Sequence, residues 1–223
     1  MTNRNHEYLE IKELPKHVFQ IEKVIDWTKR IDGYDKKQKT KYEMAFQKMK
    51  QLKEMLLDKS ENWSTTIDNK KDKLICEQRI SEMGFNEVRC SSYSDHDCLT
   101  TWRAFMNTDN KYKYDLNVEK INILEQVGAN LVFGYTKLHK IITVASRDYY
   151  AYQFFNIEAN GAIYCCIFDD EKDDMPEEEG CVRMVTPLGG VAFEPMDRNP
   201  TKCTVTMYGK LSFGGYVSNF VAK

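Results

Sequence analysis

The 223-residue chain has no long hydrophobic run. None of its uncharged apolar stretches approaches the roughly twenty residues that span a bilayer, so any membrane contact is expected to be peripheral. The N-terminus, MTNRNHEYLE, lacks the apolar core of a secretory signal. Charge of one sign is not in excess: 32 Lys and Arg stand against 34 Asp and Glu, a net charge of −2. No global basic field therefore recruits nucleic acid, although local patches can still face anionic lipid. Histidine is scarce, and His6, His17 and His139 are scattered, so no second His/Cys cluster completes a metal site with SDHDC (94–98). No glycine-rich phosphate loop exists; Gly189-Gly190 and Gly214-Gly215 read as turns or bends. The seven cysteines, an odd number without regular spacing, point to a reducing compartment. The expected location is cytoplasmic, peripheral at membranes.

What is present is enough chain for one large domain, or a domain with an extension, and a substantial core. Val18, Ile21, Val24 and Ile25 give residues 15–31 the spacing of a short amphipathic helix, which Gly33 ends. Tyr42, Ala45, Phe46, Met49, Leu52, Met55 and Leu56 repeat at three and four and predict a stronger helix; the lysine-rich KKQKTK before them (36–41) reads as a solvated flank. After Trp63 the period moves toward two. KLICEQRI and NEVRCSSY read as strands joined by a hairpin-like turn at Gly84, followed by a helix carrying Leu99, Trp102, Phe105 and Met106 that Ser94, Asp95 or Asp97 can cap. From Lys120 onward the pattern is strands only: INILEQ, NLVFGYTKL, SRDYYAYQFFNI, AIYCCIF, GCVRMVTPLGGVAFEP and KCTVTMYGKL. Six sequential strands with short connections predict an antiparallel, strongly bent sheet in an α+β domain.

Two constellations invite chemistry and are explained without it. In SDHDC, helix capping accounts for the aspartates beside His96. The run DDEKDDMPEEEG (169–180) holds eight acidic residues but lacks the alternating ligand-and-glycine pattern of a calcium loop, so it reads as a solvated strand connection. No activated nucleophile or paired base is visible; an enzyme reading would have to use Asp115, Glu125 or His96 as acid or base. No metal, cofactor or catalytic group is expected.

SRDYYAYQF (146–154) poses the central question, because two opposite charges open an otherwise aromatic strand. Arg147, Tyr149, Ala151 and Gln153 look one way and Asp148, Tyr150, Tyr152 and Phe154 the other. Neither face reads as simply wet. Such a strand lies between two covering layers, or has one face on a packed layer and the other on an apolar cavity.

Taken as one block, KYKYDLNVEKINILEQVGANLVFGYTKLHKIITVASRDYYAYQF resembles the START domains, the steroidogenic-acute-regulatory-protein-related lipid transfer family. Their "W-D" is matched by Tyr114-Asp115, their "E-x-[IVL]" strand end by Leu124-Glu125-Gln126-Val127, the central tyrosine of the next strand by Tyr135, and "S-x-R-D" by Ser146-Arg147-Asp148-Tyr149. GCVRMVTPLGGVAFEP is similar to the family's "VR" strand, with Arg183, and TVTMYGKLSFGGYVSNFV to its last strand and closing helix. The similarity covers most of the chain, and the order of the motifs carries it. It implies a helix-grip fold over residues 35–223, a curved antiparallel sheet around a lipid tunnel with flanking helices, preceded by a helical extension over residues 1–34. It also implies that Tyr149, Ala151 and Gln153 face the tunnel, that Arg147 sits at its loop end, and that the even-numbered face packs toward helices.

The ligand set implied by the resemblance is Lys111, Asp115, Glu125, Tyr135, Arg147, Tyr149, Gln153 and Arg183. The ion pair of sterol-binding members is absent, since Tyr135 and Gln153 stand at its positions. Of the aromatic cage of phosphatidylcholine-binding members only Tyr149 is matched, but Lys111 and Asp115 keep the spacing of their Arg and Asp, so Lys111 is expected to meet a phosphate as a point charge. Ceramide-binding members use a Glu matching Glu125, while Ser146 and Pro187 replace their Gln and Asn. A phospholipid is therefore the expected ligand, ahead of ceramide-like lipids and sterols, and the expected function is its transfer between membranes. The alternative is a lipid-sensing regulatory module without transfer. Leu138, Ile141, Ile142 and Val144, beside Lys137 and Lys140, are the expected membrane contact. The closing helix is expected to be short or truncated, since the chain runs only a few residues past Gly215 and Val217 replaces the family's proline.

Overall fold

Asp35 opens the first helix of the computed structural model. Its carboxylate accepts from the Gln38 amide at 2.8 Å, and the Gln38 side chain accepts from the Asp35 amide at 3.1 Å, which satisfies two of the free donors at the helix start. The structure describes residues 33–81, 84–140, 145–170, 175–176, 178–197 and 199–212; the helix expected over residues 15–31, the Gly214-Gly215 pair and the closing segment lie outside them. Helix α1 (Lys36–Leu57) buries Tyr42, Ala45, Met49 and Leu52, the spacing that puts one side chain per turn on one face. The lysine-rich residues 36–41 are inside this helix rather than flanking it. Lys36 and Lys37 are exposed as expected, while Lys41 turns to Glu125 at 2.8 Å.

Strands β1 (Ser64–Asn69), β2 (Leu74–Ile80) and β3 (Asn86–Ser94) follow, then helices α2 (Cys98–Met106) and α3 (Thr108–Tyr114), then β4 (Val118–Gly128), β5 (Leu131–Leu138), β6 (Ser146–Ile157), β7 (Ile163–Phe168), β8 (Cys181–Arg183), β9 (Val185–Met196) and β10 (Asn199–Ser212). They form one sheet in the order β1-β2-β3-β10-β9-β7-β6-β5-β4, antiparallel throughout except that the short β8 runs parallel to the first residues of β6. Asp97 is the residue that caps α2, accepting from the Thr100 amide at 2.8 Å. None of the described helices is long and apolar enough to cross a membrane.

At β6 both faces of the sheet are covered. Phe154 and Phe155, adjacent in β6 and pointing opposite ways, are 1% and 2% exposed. Phe154 joins Tyr152, Leu131, Phe133 and Phe168 against the buried face of α1, and Phe155 joins Ile163, Val191 and Phe193 against Trp102 of α2. Each such side chain contributes about 1.5–3 kcal/mol of burial. Gly190 lies inside β9 rather than in a turn. A Cβ there would collide with the Cys165 carbonyl and with the Leu52 side chain, so the missing side chain is what lets α1 sit down on the sheet. Cys76 and Cys90, directly opposite on β2 and β3, are joined in a disulfide; Cys98, Cys165, Cys166, Cys181 and Cys203 are free.

Candidate binding cavity

The face of the sheet away from α1 curves around a cavity of about 480 Å³, closed on the near side by α2 and α3. The pleat decides which side chains reach it. On β6 Tyr149, Gln153 and Phe155 reach it from one face of the strand; the register partners of Tyr149 and Gln153 on β5 are Thr136 and Val132, and Thr136 joins them in the wall while Val132 packs beneath α2. The β10 residues Met207 and Leu211, Val88 of β3, and Ile121 and Ile123 of β4 give the wall its apolar area, and Phe105 and Met106 of α2 complete it. Cavities of this size and lining suit an apolar ligand with few polar attachment points.

Among the described residues lining the cavity, Lys111 and Asp115 are the only charged ones. Lys111 on α3 and Asp115, the residue just after that helix, stand four residues apart, at 3.3 Å. Lys111 also lies over two rings, 5.3 Å from the centre of Phe105 and 5.1 Å from that of Tyr114, and these rings stack at 5.8 Å. The Tyr114 hydroxyl donates to the Phe105 carbonyl at 2.6 Å, tying α3 back to α2. Burial pushes the Tyr114 phenol up, with the Asp115 carboxylate adding to it; at Tyr149 burial also raises the phenol, against a hydrogen bond with Thr136 that lowers it. An open hollow of about 620 Å³ lies outside, and Phe105, Lys111, Tyr114, Asp115 and Met207 line both spaces. The ion pair and its rings thus form the partition between the cavity and the outside.

The eight residues of the expected ligand set separate by face. Lys111, Asp115, Tyr149 and Gln153 line the cavity. Arg147 lies on the cavity side, as the register partner of Leu138, but is buried and donates to the Ala145 carbonyl at the loop end of β6. Glu125, Tyr135 and Arg183 are on the other face. Glu125 is the register partner of Phe133 and pairs with Lys41; Tyr135 is the partner of Tyr150, and its buried hydroxyl has no hydrogen-bond partner among the described residues. Arg183 forks onto Asp148 at 2.8 and 3.1 Å and lies 4.6 Å from the Tyr150 ring centre. The two charges at the head of β6 are therefore not partners of each other: Asp148 holds β8, and Arg147 holds the loop.

Of the expected membrane contact, Leu138 is described and lines the cavity, while Ile141, Ile142 and Val144 lie outside the described residues. His96 is exposed at the corner after β3, and no group of three or more His, Cys, Asp or Glu that could hold a metal occurs among the described residues. The sequence reading missed Thr136, Asn117, Phe105 and Tyr114 as cavity residues. Thr136 was within reach of it, since β5 alternates and pairs with β6; the others depend on where α3 docks.

Comparison with known proteins gives the same architecture. The START domain model matches residues 43–220. None of the curated proteins matches the chain. Among solved structures, the human StAR-related lipid transfer protein 5 superposes with a TM-score of 0.74 at 18% identity, over 83% of this chain and 88% of that one. Human STARD10 gives 0.68 at 15% identity, over 79% and 71% of the two chains, and a STAR-related lipid transfer protein from Xanthomonas axonopodis gives 0.59 at 18%, over 73% and 88%. These likenesses carry the fold, and the family model, which spans well over half the sequence, carries the assignment: the chain belongs to the START domain family.

Proposed function

We propose that this domain holds one phospholipid in its cavity and carries it between membranes, working at cytoplasmic membrane surfaces as a peripheral protein. The observation that carries the reading is the Lys111–Asp115 pair in an otherwise uncharged, largely apolar wall. An extracted sixteen-carbon chain loses about 13 kcal/mol of favourable burial, at about 0.8 kcal/mol per methylene, unless an apolar cavity replaces it. A lone ammonium in that wall would be costly, and Asp115 neutralises it while no ligand is bound. A lipid phosphate offers Lys111 a second anion at the same place, so the headgroup is recognised by charge at the partition and the chain by burial behind it.

The enzyme reading has no geometry behind it. Asp115 is paired with Lys111, Glu125 with Lys41 on the far face, and His96 is exposed and does not line the cavity. Native mass spectrometry of the purified protein, followed by lipid extraction, tests the ligand. Phospholipid is expected in the wild type and lost in Lys111→Met combined with Asp115→Asn, which leaves no buried charge unpaired. Retention of phospholipid by the double variant refutes the role of Lys111, and a neutral lipid in the wild type favours a ceramide or sterol ligand instead. Movement of lipid from donor to acceptor vesicles separates a transfer protein from a lipid-sensing module.

A further inference from the structure

The turn that joins α3 to β4 carries Leu116, which at 78% is more exposed than any other large apolar side chain of the described residues. Its neighbours Asp115, Asn117 and Val118 all line the cavity, so the leucine stands on the rim and points away from it. Three hydrogen bonds hold the turn. The Val118 amide donates to the Asp115 carbonyl at 3.1 Å, the Asn117 amide to the Asp115 carboxylate at 3.3 Å, and the His139 amide to the Asn117 carbonyl at 2.7 Å. The last of these fastens the turn to the segment leaving β5. Leu116 is thus an apolar point on a fixed mount and not the tip of a slack loop.

Its surroundings are basic. Lys113, Lys120 and Lys140 are exposed around the turn, as is His139, which faces Glu119. Of the described acids beside the turn, Asp115 pairs with Lys111 and Glu119 with Lys137 at 3.1 Å. Tyr112, 40% exposed, lies beside them with its hydroxyl accepting from the Ile121 amide at 3.1 Å. An apolar tip with an amphipathic ring and several cations around it matches the layered chemistry of an anionic bilayer interface, where headgroup phosphates meet the cations and the tip enters the acyl boundary. A scattered exposed leucine would need no explanation; this one stands where the cavity meets the outside.

We infer that the Asp115–Val118 turn, tipped by Leu116, is a docking point by which the domain enters an anionic lipid surface with its cavity opening toward the bilayer. The inference rests on the lipid-carrying reading for its purpose but not for its test. With the full chain and sedimented vesicles of phosphatidylcholine, with or without phosphatidylserine, Leu116→Ser should weaken binding to the anionic vesicles roughly tenfold, the weight of one buried leucine. Leu57→Ser, 69% exposed at the end of α1 on the other face of the sheet, should leave it unchanged. Leu116→Trp should show a blue-shifted emission on anionic vesicles. Unaltered binding by Leu116→Ser, equal losses by both serine variants, or equal binding to vesicles with and without phosphatidylserine each overturns the inference. Native mass spectrometry of the same samples keeps the two readings apart. A lipid-loaded protein whose docking ignores Leu116 sinks only the docking point, and a protein that never carries lipid yet docks through Leu116 sinks only the cavity reading.

Discussion

At the residue scale, the clearest determinants are places where one atom more or less changes what can pack. Gly190 has the Cys165 carbonyl and Leu52 where a Cβ would be. Gly190→Ala is expected to lower stability by about 1–3 kcal/mol, the ordinary cost of overpacking, and urea unfolding followed by fluorescence checks it; an unchanged midpoint would mean that α1 yields without cost. Asp58, just beyond α1, shows how a single charge sets acid behaviour. The Ser60 amide donates to it, as do the Trp63 indole at 3.1 Å and Arg79, and these hold its carboxyl down to about 2 against the opposing effect of burial. Because the folded pKa lies below the unfolded one near 3.8, this contribution is fully present above pH 4 and is lost as the pH falls from there toward 2. Asp58→Asn should therefore remove on the order of 1 kcal/mol at neutral pH, allowing for solvent screening, and flatten the stability profile between pH 4 and 2. A profile identical to wild type would assign the acid sensitivity elsewhere.

At the scale of elements, the end of α1 is anchored by an aromatic–guanidinium stack as well as by its cap residue Asp58. Two guanidinium groups lie over the Trp63 ring, Arg79 at 4.3 Å and Arg89 at 4.6 Å, and Arg89 donates to the carbonyl of Met55, which also accepts the Asp58 amide at 3.4 Å, and to that of Asp58. Trp63→Ala is expected to cost roughly 2–3 kcal/mol and to raise amide exchange first over the last turn of α1, while Trp63→Phe keeps most of the stability. Uniform exchange across the molecule would count against the anchor. The same scale shows what the sequence made legible. The alternation of β6 was plain, and with it the two covered faces, because tyrosine and phenylalanine on successive residues leave a strand no wet side. Glu125, Tyr135 and Arg183 sat on recognisable strands but on the wrong face: β4 carries register irregularities that place Glu125 with Phe133, and Arg183 follows the parallel pairing of β8 that no local pattern announces. β1 escaped notice because five of its six residues are exposed, and α3 because TDNKYKY has too little apolar surface to show a period. Its position makes the cavity partition, so the least legible helix is the one that carries the charged pair.

At the scale of the whole molecule, the sheet has unequal faces. One is sealed by α1; the other carries the cavity and a row of apolar side chains running across four strands, Ile67, the Cys76–Cys90 pair and Met207, each opposite the next in register. Ile67 and Met207 in that row are 46% and 44% exposed. The row runs into the cavity lining through Cys90 and Met207, so a bound lipid meets it at that end. A lipid that binds only the folded state adds RT ln(1 + [L]/Kd) to its stability, about 2.7 kcal/mol at a hundredfold excess over Kd. Removal of lipid should therefore lower the melting temperature by several degrees, and re-addition of phospholipid should restore it. Light scattering on the lipid-free protein reports whether it self-associates in compensation. A lipid-free monomer that melts as high as the loaded form would show that the chain closes its own cavity, and the stabilising role of the ligand would be refuted.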